Sequence, residues 1–368
     1  MADLHSWLSL SLAPGLGPTL LQRLLAVFAD PATVLTASVK DLAQVPGIGP
    51  RLAGKLTREQ LAPAADRQIE LAQRHGAAIL HLGLAEYPEQ LRHIHRPPLI
   101  LFVKGDPKWL SEPGVAIVGS RAATSYGRKM AAELGRELAG AGLVVISGVA
   151  LGVDGAAHSG ALSRGRTVGV LGCGLDVVYP RQHGRLYGEI AASGALVSEY
   201  PFGTRPEPFR FPARNRIISG LSRGVVVVEA GSRSGSLITA RLALEQGRDV
   251  FAVPGRVDSG KSSGAHRLLQ EGARLVAGSA DVLFELAGLD SCPDNDETEQ
   301  WQLLGDEKKI HDLLDIYGLG IDEIIQLSGM RPEKVAEILL VLELKGAVES
   351  QPGNIYMSCD PAPQAGKT

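Results

Sequence analysis

The chain is poor in several residue types, and each scarcity excludes something. Its 368 residues include three cysteines, Cys173, Cys292 and Cys359. They are too few and too scattered for a disulfide framework or a zinc ligand set. Aromatic residues make up 5% of the chain, with seven Phe. No apolar run approaches the roughly 18 residues that a membrane span needs. The start, MADLHSWLSLSLAPG, lacks the basic segment of a secretory signal. These absences predict a cytoplasmic protein with no membrane contact. There is no GxxxxGK(S/T) loop, which argues against a P-loop ATPase. Net charge is scarce too, at −3.

That balance conceals a partition. Residues 1–75 carry +1, residues 76–288 carry +6 and residues 289–368 carry −10. The middle holds 24 positive side chains, 20 of them Arg. Arg suits planar, bidentate recognition of phosphate. The partition reopens nucleic acid as a ligand for the middle segment alone.

The most distinctive stretch runs from Arg205 to Arg241. At and just before its start, Phe202, Phe209 and Phe211 fall within ten residues, and Arg205, Arg210, Arg214, Arg216 and Arg223 sit beside them. A buried-strand run, VVVVE (225–229), then leads into the Gly/Ser turn AGSRSGS and a helix. This pattern predicts a nucleotide-type fold whose rim holds a nucleic-acid strand through stacking and cations.

Residues 1–75 show helical spacing of Leu, Val and Phe and no strand alternation. DLAQVPGIGPRLAGKL (41–56) reads as a tight helix–turn–helix and resembles a helix-hairpin-helix. LAPGLGP (12–18) is a weaker copy of the same turn. Such a turn is either a DNA-backbone contact, helped by Arg51 and Lys55, or a packing element.

Residues 76–290 alternate short apolar runs with helical stretches. Strands are predicted at 115–118, 143–147, 167–171, 195–199, 225–229 and 249–253, with helices such as 126–141 and 236–246 between them. Continuous apolar strands separated by helices imply a doubly wound parallel sheet, an α/β fold of extended Rossmann-like type. Ligands of such sheets bind beyond the carboxyl ends of the strands, where helix N-termini favour anions. The strand ends here are Gly119-Ser120-Arg121, Ser147-Gly148, Gly172-Cys173-Gly174, Glu199, Glu229 and Pro254-Gly255. GSRAATSYG follows the first strand in place of a dinucleotide fingerprint, so no such cofactor is expected. Asp154 and His158 share a helix face but lack a third ligand, so no metal is expected either. Glu199 and Glu229 read as loop or helix-end acceptors rather than an acid/base pair. Cys173 reads as a small buried residue, since no His is placed to activate it.

Several segments together, in order, carry a family resemblance. They are VAIVGSRAATSYG, VISGVALGVDGAAH, VGVLGCGLDVVYP, SEYPFGT, FPARNRIISGLS, VVVVEAGSRSGSLITARLALEQGRDVFAVPG and SGAHRLLQEGA, preceded by EYPEQLRHIHRPPLILFVKG (86–105). Over residues 86–276 the chain resembles the DNA-processing protein A family (DprA, also called Smf). The resemblance implies a non-catalytic single-stranded DNA binder. Such a protein receives incoming strands in natural transformation, loads the recombinase RecA onto them and forms homodimers through its Rossmann-like domain. It implies DNA contacts at Gly119, Ser120 and Arg121 and at Phe211, Arg214, Asn215 and Arg216, and the strand-end position of Ser147 and Gly148 adds them to the expected site. Ser234, Gly235 and Ser236 would add a helix start. Some members carry a basic residue where this chain has Pro208, so Arg210 or Arg205 is expected to substitute. Members often carry Asn where this chain has His266, near the family's dimer surface.

Residues 291–303 read as an acidic linker, 304–360 as a winged-helix domain and 361–368 as a disordered tail. The third helix of that domain, PEKVAEILLVLELKG, is apolar and acidic rather than basic, which disfavours duplex binding. A second class of function competes for the middle domain. Lysine-decarboxylase-like phosphoribohydrolases share the fold type, and their catalytic turn is Pro-Gly-Gly-x-Gly-Thr followed by Glu. The comparable turn here, EAGSRSGSLITA, has no such Glu after it.

Overall fold

The computed structural model describes residues 2–56, 58–287, 303, 305–315, 318–351 and 353–358. It divides into two units, Met1–Pro293 and Asp294–Thr368. The expected linker, apart from Leu303, and the expected tail lie outside the described residues.

The first unit opens with helices α1 (Ala2–Ser11), α2 (Pro18–Phe28), α3 (Pro31–Thr36), α4 (Val39–Leu42), α5 (Pro50–Ala53) and α6 (Arg58–Arg74). The segment between α4 and α5 turns at Gly47, whose φ of +92° lies in the left-handed region. Arg23 Nη1 donates to Pro46 O at 2.8 Å and ties this turn to α2. Leu24, Val34, Leu42, Ile48 and Ala53 close a small core.

A nine-stranded sheet follows. Its strands are β1 (Ala77–His81), β2 (Ile100–Gly105), β3 (Gly114–Val118), β4 (Val144–Ser147), β5 (Thr167–Val170), β6 (Ala195–Ser198), β7 (Gly224–Val227), β8 (Asp249–Ala252) and β9 (Arg274–Leu275). The spatial order is β1-β2-β6-β5-β4-β3-β7-β8-β9. Strands β3 to β9 pair in parallel, in keeping with the predicted core. Two strands that the apolar pattern does not predict, β1 and β2, extend this parallel sheet at one edge. Strand β2 pairs antiparallel with β6, and β1 pairs antiparallel with β2.

The crossover helices are α8 (Ser125–Gly140), α9 (Val153–Arg164), α10 (Gly184–Ser193), α11 (Arg210–Leu221), α12 (Ser236–Glu245) and α13 (Ser263–Gln270). The short α7 (Glu89–Arg92) precedes β2, and α14 (Ser279–Ala287) closes the unit. Alternate strand residues feed opposite layers, as the pleat requires. Val115, Ile117, Val145 and Val226 face one core, whereas Ala116, Val118, Ile146 and Val227 face the other. A third core joins α1 and α6 to the antiparallel edge through Leu8, Ala65, Ala72, Phe102 and Phe202. Gln68 locks this join: its Oε1 accepts from Phe202 N at 2.8 Å.

The second unit holds α15 (Asp306–His311), β10 (Leu319–Gly320), α16 (Ile321–Ser328), α17 (Pro332–Leu344), β11 (Val348–Gln351) and β12 (Ile355–Ser358). Its sheet order is β10-β12-β11. Three helices and a small antiparallel sheet make the winged-helix arrangement that the apolar stripes predict. Ile310, Ile324, Val335 and Leu342 form its core.

Candidate nucleic-acid interface

The direction of chain travel reverses between β3 and β7. From β3 the order runs through β4 and β5 to β6 on one side, and from β7 through β8 to β9 on the other. Beyond the carboxyl ends at such a switch point, the outgoing loops part and leave a crevice. Here it has a volume of about 930 Å³. Gly119, Ser120 and Arg121 line it from the β3 loop, and Gly231, Ser232, Arg233, Ser234, Gly235 and Ser236 from the β7 loop. Tyr179, Phe211, Asn215 and Lys261 also line it.

The two loops are laced together by Glu229. Its backbone carbonyl accepts from Ser120 N at 2.7 Å. Its carboxylate accepts from Thr124 N and from Thr124 Oγ1, both at 2.8 Å. Thr124 in turn caps α8 through Gly127 N. Residue 127 must be small: a Cβ there would sit 2.5 Å from Glu229 Oε2. Glu229 therefore shapes the Gly-Ser-Arg turn.

Arg121 is exposed, and its guanidinium carbon lies 5.1 Å from the Phe211 ring centre. The Tyr179 ring packs against Phe211 with centroids 5.4 Å apart. Asn215 Nδ2 donates to Gly235 O at 3.3 Å and bridges α11 to the β7 loop. Ser234 and Ser236 are linked by their hydroxyls at 2.7 Å, where α12 starts. The crevice thus combines cations, aromatic rings and a helix N-terminus, the elements that hold phosphates and stack bases.

Not every residue expected at the site faces it. Ser147 is fully buried, with its hydroxyl donating to Ile117 O at 2.6 Å. Gly148 is buried because Arg214 and Asp154 flank it. A Cβ there would fall 2.6 Å from Arg214 Nη2 and 2.7 Å from Asp154 Oδ2. Arg214 itself is 3% exposed and forms the crevice floor. It donates to Gly148 O at 2.9 Å and to Val170 O. Burial pulls its guanidinium below the usual range, opposed mainly by Asp154. Burial likewise raises the Asp154 carboxyl, against the pull of Arg214 and the amides of Ala150 and Gly148. Arg216 is engaged elsewhere, donating to both carboxylate oxygens of Glu199 at 2.9 and 2.5 Å. Arg210 pairs with Glu207 at 3.1 Å and donates to Arg205 O. Neither Arg205 nor Arg210 lines the crevice. Pro206 and Pro208 do.

The remaining sequence candidates behave as ordinary core groups. Asp154 and His158 do not pair with each other. The His158 ring bonds Thr167 Oγ1 at 2.6 Å, and Thr167 donates on to Val145 O. Burial pushes the Cys173 thiol up to about 11. Among the described residues no group of three or more His, Cys, Asp or Glu is placed to hold a metal ion. Nor is any helix of the described residues long and apolar enough to cross a membrane. Tyr179, Arg233 and Lys261 line the crevice without belonging to any of the positions that the sequence marks as site residues. A signal existed for Lys261, whose loop, SGKSSG, repeats the strand–Gly/Ser–helix pattern of the other two.

Comparison with known proteins identifies the family of the chain. Residues 78–287 match the family model described as DNA recombination-mediator protein A. The protein Smf of Synechocystis sp. is 33% identical over 390 residues, covering 95% of this chain and 97% of that protein. The chain belongs to the DprA/Smf family. Residues 297–354 match the DprA winged helix domain. Residues 8–60 match a SAM-like helix-hairpin-helix tandem, a span that includes both glycine turns. Among DprA structures, that of Streptococcus pneumoniae superposes with a TM-score of 0.68 at 39% identity. It covers 76% of this chain and 95% of its own. The Helicobacter pylori protein, whose structure concerns its single-stranded DNA binding mode, gives 0.53 at 34% identity, covering 58% and 96%.

Proposed function

We propose that this DprA/Smf chain binds single-stranded DNA in the switch-point crevice as a mediator rather than a catalyst. It receives incoming strands in natural transformation and loads RecA onto them, acting in the cytoplasm as a homodimer through its Rossmann-like domain. The DNA contacts assigned are Gly119, Ser120, Arg121, Phe211, Asn215, Ser234, Gly235 and Ser236, with Arg214 as the floor. The observation that carries the reading is the Arg121–Phe211 pairing at the mouth of a Gly/Ser-lined crevice. A ring stacks on any base and a guanidinium grips any phosphate, so the pair favours a strand without regard to its sequence. The single-stranded DNA binding of the Helicobacter pylori relative supports the same ligand. The phosphoribohydrolase alternative has less behind it. Glu229 is committed to Thr124 and Glu199 to Arg216.

The test is a titration of labelled oligothymidine and of its duplex at several salt concentrations. Single-strand preference, weak sequence dependence and a steep salt slope are expected. Salt-insensitive or duplex-preferring binding overturns the reading.

A further inference from the structure

Above the buried Arg214, the exposed cations that line the crevice among the described residues come from three loops: Arg121 after β3, Arg233 after β7 and Lys261 after β8. We infer that Lys261 is a phosphate-positioning residue of this crevice, working beside Arg121. The inference rests on the single-stranded DNA reading above and names a contact within it.

Three observations carry it. First, Lys261 is held at the rim by a fastened loop. The ring nitrogen Nε2 of His266 meets Gly255 O at 2.9 Å, and Ser262, the next residue, is 4% exposed. Second, the ammonium is already beside the Gly-Ser-Arg turn. Lys261 Nζ donates to Ala122 O at 2.8 Å, and Ala122 directly follows Arg121. Third, its charge is uncompensated. The partner is a neutral carbonyl, and among the described residues no carboxylate lies within ion-pair distance of it. Arg210 and Arg216, by contrast, are matched to Glu207 and Glu199. An ammonium has three donors, so the Ala122 bond leaves others for a phosphate oxygen. Of the arginines at 205–216 the buried Arg214 alone lines the crevice, beside Pro206 and Pro208, whereas Lys261 reaches it exposed from another loop.

The alternative is a clasp: Lys261 merely pins the Ala122 backbone. The salt dependence of binding separates the two roles. Each phosphate contact on a single strand contributes about 0.7 to the slope of log affinity against log salt. For Lys261→Met, which keeps the aliphatic stem, we expect weaker oligothymidine binding at low salt and a slope flatter by about 0.7. Its disadvantage should therefore shrink about threefold between roughly 50 and 200 mM salt. Lys261→Arg should restore the slope. A Lys261→Met protein that binds more weakly with an unchanged slope, or binds as wild type, overturns the inference. Arg121→Ala, measured in parallel, keeps the two readings apart. If it flattens the slope and Lys261→Met does not, only the lysine assignment falls. If the wild-type protein shows no salt-dependent binding to oligothymidine, both fall.

Discussion

The guanidinium carbon of Arg121 lies 5.1 Å from the centre of the Phe211 ring. One residue comes from the turn after β3 and the other from the first turn of α11, so the pair exists only in the folded sheet. It sets a cation and a ring at one mouth, and it also covers part of the ring that a base would use.

Separating the two contributions gives the first prediction. Arg121→Ala should weaken oligothymidine binding by about tenfold or more at low salt, as expected for a charge-assisted contact. Its unfolding free energy should change by less than about 1 kcal/mol, because the side chain is exposed. Phe211→Leu should cost about 1–3 kcal/mol of binding with the salt slope preserved, since stacking carries no counterion release. Fluorescence anisotropy across salt, with urea unfolding alongside, measures both. An Arg121→Ala protein that unfolds yet spares affinity in its soluble fraction would mark the arginine as structural.

The neighbouring arginines should behave in the opposite way. Arg214 is 3% exposed and faces Asp154 across Gly148. Arg214→Met should destabilise the domain by about 3–5 kcal/mol, because it strands a buried acid and two backbone carbonyls. Arg216→Gln breaks a partly buried pair with Glu199, with side chains 15% and 18% exposed, and should cost about 1 kcal/mol. Neither change should alter the salt slope of the folded protein. A flatter slope for Arg216→Gln with unchanged stability would return that residue to the DNA site.

These contrasts show what a sequence can and cannot reveal about such a site. Strands β3 to β8 were legible because strands covered on both faces must be apolar throughout, as GVVV in β7 is. The Gly-Ser-Arg turn was legible because a long cation beside glycines at a strand end has few other uses. Ser147-Gly148 looked the same in sequence as Gly119-Ser120, yet its strand end is roofed by Arg214 and Asp154. Which strand ends open into the crevice depends on where the sheet reverses, and that is a matter of strand order. Likewise the arginines of 205–216 were countable, but which of them pairs with Glu199 and which with Glu207 depends on where α11 is placed. The antiparallel strands β1 and β2 flank an α7 segment rich in Pro and His, and without a crossover helix they gave no βαβ pattern.

His158 supplies a pH prediction. Burial holds its pKa down to about 3 from 6.5, and His183 and Arg214 push the same way. The folded state keeps the ring neutral while the unfolded chain takes up a proton below 6.5. Stability from this group is therefore full above that value and falls as pH drops, until about 3. The expected loss is about 1.4 kcal/mol per pH unit within that window. Urea unfolding of wild type and His158→Gln between about pH 7 and 4 tests it. The variant starts less stable, and the gap should close as pH falls. A gap that stays constant shows that His158 is not the group responsible.

The winged-helix unit makes the last prediction. In DNA-reading winged helices the third helix is basic. Here α17 carries Lys334, and Lys345 follows at its end. Lys334 pairs with Asp306, and Lys345 Nζ meets Glu307 Oε2 at 2.6 Å. Both cations are thereby neutralised by α15. What α17 shows to solvent includes Leu340 at 58% exposure and Leu344 at 81%. Residues 289–368 carry a net −10, which repels phosphate. A chain ending at Pro293, the limit of the first unit, should bind oligothymidine with equal or higher affinity than the full chain. Any gain should vanish as salt screens the lost repulsion. A loss of about tenfold or more on truncation, greatest at low salt, would show that the winged helix itself grips the strand.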